Sequence, residues 1–485
     1  MSLSQKALSG FSYTFTSSIL SKIITLLGGI YLARLLNPED FGLLAMLYII
    51  FEVSGFMISA GFGLVLIREK NVSEEDLSTV FWFNLAISGV LIVIVWLLSQ
   101  YIVDFYGEPR LFWLSRIMSL NLLFSALGIV QKSMFQRRLE YKKLSVALIV
   151  SNLVAIIIAI VLAQNNFGFY ALALKYVLIS FISTTLFYIY NPWKPSSFIT
   201  VSSFKRLFTF GGNVMLLGLV NTLSRNAHQI VIGKFFSTSL LGFFNQGNML
   251  KDNLVNTVST SISQVTFPIL SKLQDDKQKL KEGYSRILAI STYVIFPIVI
   301  IFFFIAKPLI LFLLGEKWQD TTLFFQILLI GGALNHIHGI NLNVLKVYGG
   351  GKDYLMQGII RNGITILSII VGVQFGAVGI AFGLIISEFL QLFVNTYYSN
   401  KYIDFKFAEQ VNVILPIIIL NLCFIFISIS LEYLTNTNSI SFLFAYPIVF
   451  VILYFLISKY FQLIVYSEIK NLVSTRLQNM KININ

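Results

Sequence analysis

Fourteen long apolar stretches follow one another from Phe11 to Ile464, and the charges between them fall mainly on alternate connectors. A bilayer's hydrocarbon core is about 30 Å thick and takes roughly 20 apolar residues per helix, because each segment must satisfy its own backbone polar groups. The spans are expected near 9–33, 41–66, 78–99, 111–131, 144–163, 169–190, 207–233, 240–266, 284–305, 322–345, 356–374, 377–398, 411–431 and 442–462. This pattern predicts an all-α polytopic membrane protein. The spans at 9–33 and 240–266 are the most polar of the set, and a function inside the bundle has to use such segments.

Composition agrees: mean hydropathy is +0.80, and 12% of residues are charged, against roughly a quarter in soluble domains. The connectors leave no room for a soluble domain, so function must reside among the helices. The net charge of +13 could suggest nucleic acid, but its placement decides otherwise. Twenty-four of the 35 Lys and Arg fall on even-numbered connectors and the termini, and five fall on odd ones: Arg34, Arg110, Lys234, Lys307 and Lys317. That bias places both termini in the cytoplasm and gives the inner surface its basic character, with anionic lipid as its partner and no nucleic acid.

The segment after Lys6 is rich in Ser and Thr and shows no clear small-residue cleavage site before Arg34, so it is expected to be the first span rather than a leader. The single cysteine, Cys423, lies in an apolar run and is expected to be a small core residue.

The chain contains a repeat. Residues 30–47, IYLARLLNPEDFGLLAML, align without a gap at an offset of 200 with 230–247, IVIGKFFSTSLLGFFNQG, so that Arg34 meets Lys234 and Gly42 meets Gly242. QNNFGFYALALKYVLISF from Gln164 likewise matches GVQFGAVGIAFGLIISEF from Gly372, pairing Gly168 with Gly376 at an offset of 208. Six spans separate the copies, so both halves run in the same sense. Parallel repeats of this kind are a standard construction of transporters, with the substrate site at the repeat interface. The chain divides on this reading into an N-lobe (1–200, spans 1–6), a C-lobe (201–400, spans 7–12) and an added pair with a cytoplasmic tail (401–485).

The ordered runs ARLLNPEDFGLLAM, QRRLEYKKL, FGFYAL, LSRNAHQIVIGKFFSTSLLGFFNQGNML, FPILSKLQDD and LLGEKW resemble the Wzx-type polysaccharide flippases. That family belongs to the superfamily that also contains multidrug extruders and the peptidoglycan-precursor flippase, and the likeness is greatest to the branch typified by the colanic acid exporter. It covers roughly the first 400 residues. One departure stands out: where this branch often has an acidic residue after SRN, this chain has Ala227-His228. The resemblance implies export of undecaprenyl-pyrophosphate-linked oligosaccharide from the cytoplasmic to the periplasmic leaflet of the bacterial inner membrane. Polymerase and chain-length machinery would be the downstream partners.

Such a headgroup cannot cross hydrocarbon unaided, because stripping water from unpaired polar groups costs several kcal/mol each. The route must offer positive charge and hydrogen bonds. At about 100° per residue, Thr14, Ser18, Ser21, Lys22 and Thr25 share one sector of the first span, and Asn221, Ser224, Arg225 and His228 share one sector of the seventh. Lys22 and Arg225 are the expected headgroup cations, with Lys175 in the sixth span behind them; snorkelling toward an interface is the alternative for each. The eighth span offers Asn248 and Asn256, whose amides suit sugar hydroxyls, and the cation Lys251. Asp252 aligns with Glu52 at the repeat offset, so these carboxylates could couple transport to H+ or Na+, or could neutralise nearby cations. Glu388 is a further coupling candidate; the repeat places Ser180 at its counterpart position.

A membrane glycosyltransferase or polymerase would need larger outer loops to position catalytic carboxylates. No HExxH, cysteine cluster or phosphate-binding glycine loop occurs, and His336 and His338 are two apart on a helix and point to different faces. Neither a metal nor an organic cofactor is expected. A multidrug extruder of the same superfamily is the alternative transporter, but cationic drugs would favour an acidic cavity.

Overall fold

A computed structural model describes residues 3–59, 62–69, 71–196, 199–349, 351–434 and 440–461; the side chains before Ile19 lie outside that description. The described residues are helical almost throughout and contain no strand. Among the described residues ten stretches are long and apolar enough to cross a membrane, and one of them, Gly351–Ile403, is a pair of helices joined by a short turn. The protein is an all-α polytopic membrane protein. The expected spans outside that apolar set are the first, seventh and eighth, which carry the polar faces described above.

Two compact units divide the chain, Met1–Asn245 and Gln246–Asn485. In the first, α1 (Leu3–Leu35), α2 (Pro38–Ser59), α3 (Phe62–Arg68), α4 (Glu74–Tyr106), α5 (Leu111–Arg137), α6 (Tyr141–Gln164), α7 (Phe169–Tyr190) and α8 (Val201–Phe235) lead into α9 (Thr238–Lys251). The single span expected at 41–66 is therefore two helices, α2 and α3. Ser73 and Asp76 form a reciprocal capping box at the start of α4, satisfying backbone donors that would otherwise be orphaned. Asp76 also accepts from Arg206 in the first turns of α8, tying that helix to α4. The repeat is visible in the helix ends: α1 and α8 stop at Leu35 and Phe235, and α2 and α9 start at Pro38 and Thr238, each pair 200 residues apart. α8 packs on α2, α3 and α4.

The second unit holds a π-helical turn (Asp252–Asn256), α10 (Thr257–Lys272), α11 (Lys277–Phe304), α12 (Ala306–Leu314), α13 (Thr321–Gly332), α14 (Asn335–Val347), α15 (Gly351–Gly372), α16 (Gly376–Ile403), α17 (Phe407–Leu434) and α18 (Ile440–Tyr460). Three departures from the sequence expectation concern helix interruptions. The eighth span changes from α9 to α10 through the π-helical turn. The tenth is split between Gly332 and Asn335. The short helix α12, expected as part of a connector, follows α11 because Pro308 lacks the N–H that would bond the Phe304 carbonyl, so one helix ends and another begins with proline in its first turn.

α15 and α16 form a close hairpin. A Cβ on Gly383 would lie 2.5 Å from the Ser368 carbonyl oxygen, and one on Gly372 2.6 Å from that of Gly379, so only glycine permits this approach. Gly376 turns the chain with φ of +80°, as Gly168 does before α7 with +52°. α17 and α18 pack on α11 through an aromatic cluster of Tyr293, Phe424, Phe450 and Tyr454. Cys423 faces outward on α17 and is exposed, which corrects its expected place in the core; its neighbour Phe424 takes the buried face instead.

Candidate functional site

The polar faces of the first unit meet where α2 packs on α8. Glu52 on α2 receives Arg225 Nη2 at 2.6 Å on one carboxylate oxygen and Asn226 Nδ2 at 2.6 Å on the other. Asn226 also donates to the Thr222 carbonyl at 3.0 Å, which fixes its amide. Glu52 is thus held at both oxygens, while the Arg225 side chain remains 69% exposed. A guanidinium has five N–H donors, and a single nitrogen makes the contact with Glu52. The remaining nitrogens belong to a positive, fork-shaped donor set of a chemistry suited to phosphate oxygens.

The remaining members of the α8 arc separate. Asn221 is exposed like Arg225, whereas Ser224 and His228 are buried. Ser224 donates to the Val220 carbonyl, and the His228 ring lies 5.1 Å from that of Phe244. On α1, Lys22 and Thr25 are exposed and Ser21 is half-buried; Thr14 and Ser18 fall among the side chains outside the description. Lys175 on α7 lies with its ammonium 4.7 Å from the Tyr176 ring. Arg116, by contrast, sits over Phe112 at 3.9 Å and donates to Ser99, an aromatic and hydroxyl setting that accounts for its charge.

The second unit has its own polar centre, built around the two irregular spans. Asp252 Oδ1 accepts from Lys251 Nζ and from Asn256 Nδ2, each at 2.6 Å, and Asn335 at the start of α14 donates to Asn256. The Lys251 stem packs over Gly332, where an added Cβ would lie 3.1 Å from its Cδ, and Gly331 faces the Glu388 side chain. Asn248, on the same helix as Lys251, is half-buried. Glu388 on α16 has Oε2 at 3.0 Å from His338 Nε2 on α14, and the charges of Lys251 and Arg361 also act on it. Arg361 therefore also belongs to this electrostatic neighbourhood.

Sequence reasoning did not single out Asn226 or give His338 a role. Asn226 lies in the SRN run, but helical periodicity sets it off the polar arc; its importance comes from α2 bringing Glu52 to it. His336 and His338 do point apart: His336 Nε2 is 3.0 Å from Thr292 Oγ1 on α11, while His338 faces α16. Among the described residues no group of three or more His, Cys, Asp or Glu could hold a metal ion.

The sequence signature of the polysaccharide biosynthesis proteins matches residues 31–323. An uncharacterized membrane protein in the cps region of Klebsiella pneumoniae is 25% identical over 456 residues, covering 89% of this chain and 92% of that protein. The lipopolysaccharide biosynthesis protein WzxC of Escherichia coli (strain K12) is 24% identical over 409 residues, covering 83% and 82% respectively. Among solved structures, the lipid II flippase MurJ in an inward closed conformation superposes with a TM-score of 0.74 at 18% identity, over 94% of this chain and 99% of that one, a likeness of fold. With its signature spanning more than half the sequence, the chain belongs to the polysaccharide biosynthesis protein family.

Proposed function

We propose that this protein is a flippase that carries undecaprenyl-pyrophosphate-linked oligosaccharide units from the cytoplasmic to the periplasmic leaflet of a bacterial inner membrane. The observation that carries this reading is Arg225: a guanidinium on a membrane helix, anchored by one nitrogen to Glu52 and exposed over most of its surface. A cation in a span is costly and is retained where it meets an anion. The pyrophosphate is such an anion, and Lys22 supplies a second exposed cation on α1. Hydroxyls and amides of α1, α8 and α9 offer donors and acceptors to the sugars, while the polyprenyl tail stays in lipid.

The similarity to WzxC supports the substrate class, and the likeness to MurJ supports the fold. The two repeat lobes expose the headgroup site alternately, with both termini cytoplasmic by the charge bias and with H+ or Na+ as the coupling ion. A polymerase and its chain-length partners then consume the exported unit. The protein acts on this reading by translocation rather than by catalysis.

The test is to deplete the protein and measure lipid-linked saccharide on each face of the membrane. Accumulation on the cytoplasmic face with loss from the periplasmic face is the expected result. An unchanged distribution would overturn the proposal.

A further inference from the structure

Beside the headgroup chemistry of the first unit, the second unit contains a polar chain that crosses three helices. His338 Nε2 on α14 stands 3.0 Å from Glu388 Oε2 on α16. Its other nitrogen, Nδ1, lies 2.7 Å from Asn395 Nδ2, one helical stretch further along α16. Asn395 Oδ1 in turn accepts from Gln357 Nε2 on α15. His338, Asn395 and Gln357 are all buried, whereas the Glu388 side chain is 32% exposed.

Donor and acceptor rules make this chain directional. An amide nitrogen can only donate, so Nδ1 facing Asn395 Nδ2 is an acceptor and His338 carries its proton on Nε2, the nitrogen nearer the carboxylate. A second proton on Nδ1 would turn that nitrogen into a donor pointed at a donor. Asn395 would then have to rotate its amide to present Oδ1, and Gln357 would have to rotate to meet the amide nitrogen now facing it. One proton thereby changes the hydrogen bonding of α14, α16 and α15 together. The Glu388 carboxylate supplies the counter-charge for the imidazolium.

We propose that Glu388 and His338 form the proton-binding site that drives this transporter, with Asn395 and Gln357 reading its occupancy. The inference rests on the transport reading for its physiological role, but the binding itself does not. The charged and titratable groups reaching the pair are Lys251 from the end of α9, itself paired with Asp252, Arg361 from α15, and His336 two residues away on α14. α13 carries no ionisable side chain, α10 has Lys272 at its C-terminal end, and the charged residues of α11 lie at or before Arg286. The cationic surroundings disfavour a metal ion, which would also demand several oxygen ligands where one carboxylate is offered. A proton needs only a lone pair. The site also lies where two spans are irregular, at the π-helical turn after Lys251 and at the break after Gly332, and such irregularities are frequent at functional sites in membrane helices.

The full chain has three histidines, so imidazole 15N spectra of histidine-labelled protein in lipid, assigned with single His→Gln variants, read the site directly. His338 should pass from the Nε2–H tautomer to the imidazolium as the pH is lowered. Glu388→Gln should lower its proton affinity by about tenfold or more, and Asn395→Asp, which places a carboxylate at Nδ1, should raise it by a similar factor. If Glu388→Gln does not fold, Asn395→Asp carries the test. A His338 that keeps one tautomer throughout, or a midpoint indifferent to the substitution examined, would overturn the proposal. A wild-type midpoint that falls when Na+ replaces a bulky cation at constant ionic strength would overturn it in favour of sodium. These spectra involve no saccharide, so their failure is distinguishable from failure of the transport reading.

Discussion

Gly42 and Gly242, equivalent positions of the repeat, each face the carbonyl that opens the other's helix. A Cβ on Gly42 would lie 1.9 Å from the Thr238 oxygen, and one on Gly242 would lie 2.0 Å from the Pro38 oxygen. The contact is reciprocal, as a local two-fold relation between the starts of α2 and α9 requires. Ser239 Oγ donates to Glu39 across the same crossing at 3.3 Å, again between residues 200 apart.

Alanine at either glycine should therefore force the two helix starts apart. Each of Gly42→Ala and Gly242→Ala is expected to cost about 1–3 kcal/mol, the usual range for overpacking, and to lower the unfolding temperature of the purified protein. The double variant should cost less than the sum, because one displacement relieves both clashes. Wild-type unfolding temperatures for both single variants would show that the crossing yields without strain.

Charge at Arg225 separates headgroup binding from pairing. The ion pair with Glu52 is partly exposed and contributes at most about 1 kcal/mol, so Arg225→Gln should leave folding largely intact. Export should fall about tenfold or more, given roughly 1.5–3 kcal/mol for a hydrogen bond to a charged group, and Arg225→Lys should retain part of it. In the Glu52→Arg/Arg225→Glu double variant the pair is restored but the sign on α8 is reversed. Export as fast as wild type by that variant, in a lipid-linked saccharide accumulation assay, would remove Arg225 from headgroup recognition.

Acid stability should report on the turn between α4 and α5. Hydrogen bonds from Arg110, at 2.7 and 2.9 Å, hold the Glu108 carboxyl below the usual glutamate range; burial opposes them, and the Arg110 charge and the Thr238 hydroxyl reinforce them. With the folded value below the unfolded 4.5, the contribution is present above that pH and is lost as pH falls through the lower folded value. Glu108→Gln should therefore lower the unfolding temperature near pH 6, by an amount corresponding to no more than about 1 kcal/mol, and the gap from wild type should close as the pH falls below the ordinary glutamate range. A gap that stays constant over that fall would exclude Glu108 as a titrating contributor.

The spans were legible because the bilayer imposes one demand on every helix, and α7 begins and ends where hydropathy puts it, at Phe169 and Tyr190. The interruptions were not. The π-helical turn after Lys251 and the break after Gly332 involve one another, through the Lys251 stem over Gly332 and the Asn335–Asn256 bond, and nothing local to either segment announces that. Helical periodicity similarly grouped Asn221, Ser224, Arg225 and His228, yet Ser224 and His228 are buried against protein. A helical wheel gives direction, not the identity of what lies there. The offset of 200 related Glu52 to Asp252 by descent from one repeat; contact, set by how α2 lies on α8, relates Glu52 to Arg225 instead.

The crossing of α2 and α9 also bears on how the headgroup leaves. If the repeat lobes rock, the helix starts at Pro38 and Thr238, which the charge bias assigns to the periplasmic rim, must separate when that rim opens. Their packing in this structure would then belong to a state closed at the rim. Cysteines at both positions in a Cys423→Ser background should form a short cross-link efficiently, and the linked protein should stop exporting lipid-linked saccharide until it is reduced. Each single-cysteine variant should export at the rate of the Cys423→Ser parent before and after the same oxidation. Full-rate export by the linked protein would contradict opening at this crossing, because helix starts tied to one another cannot part to release a headgroup.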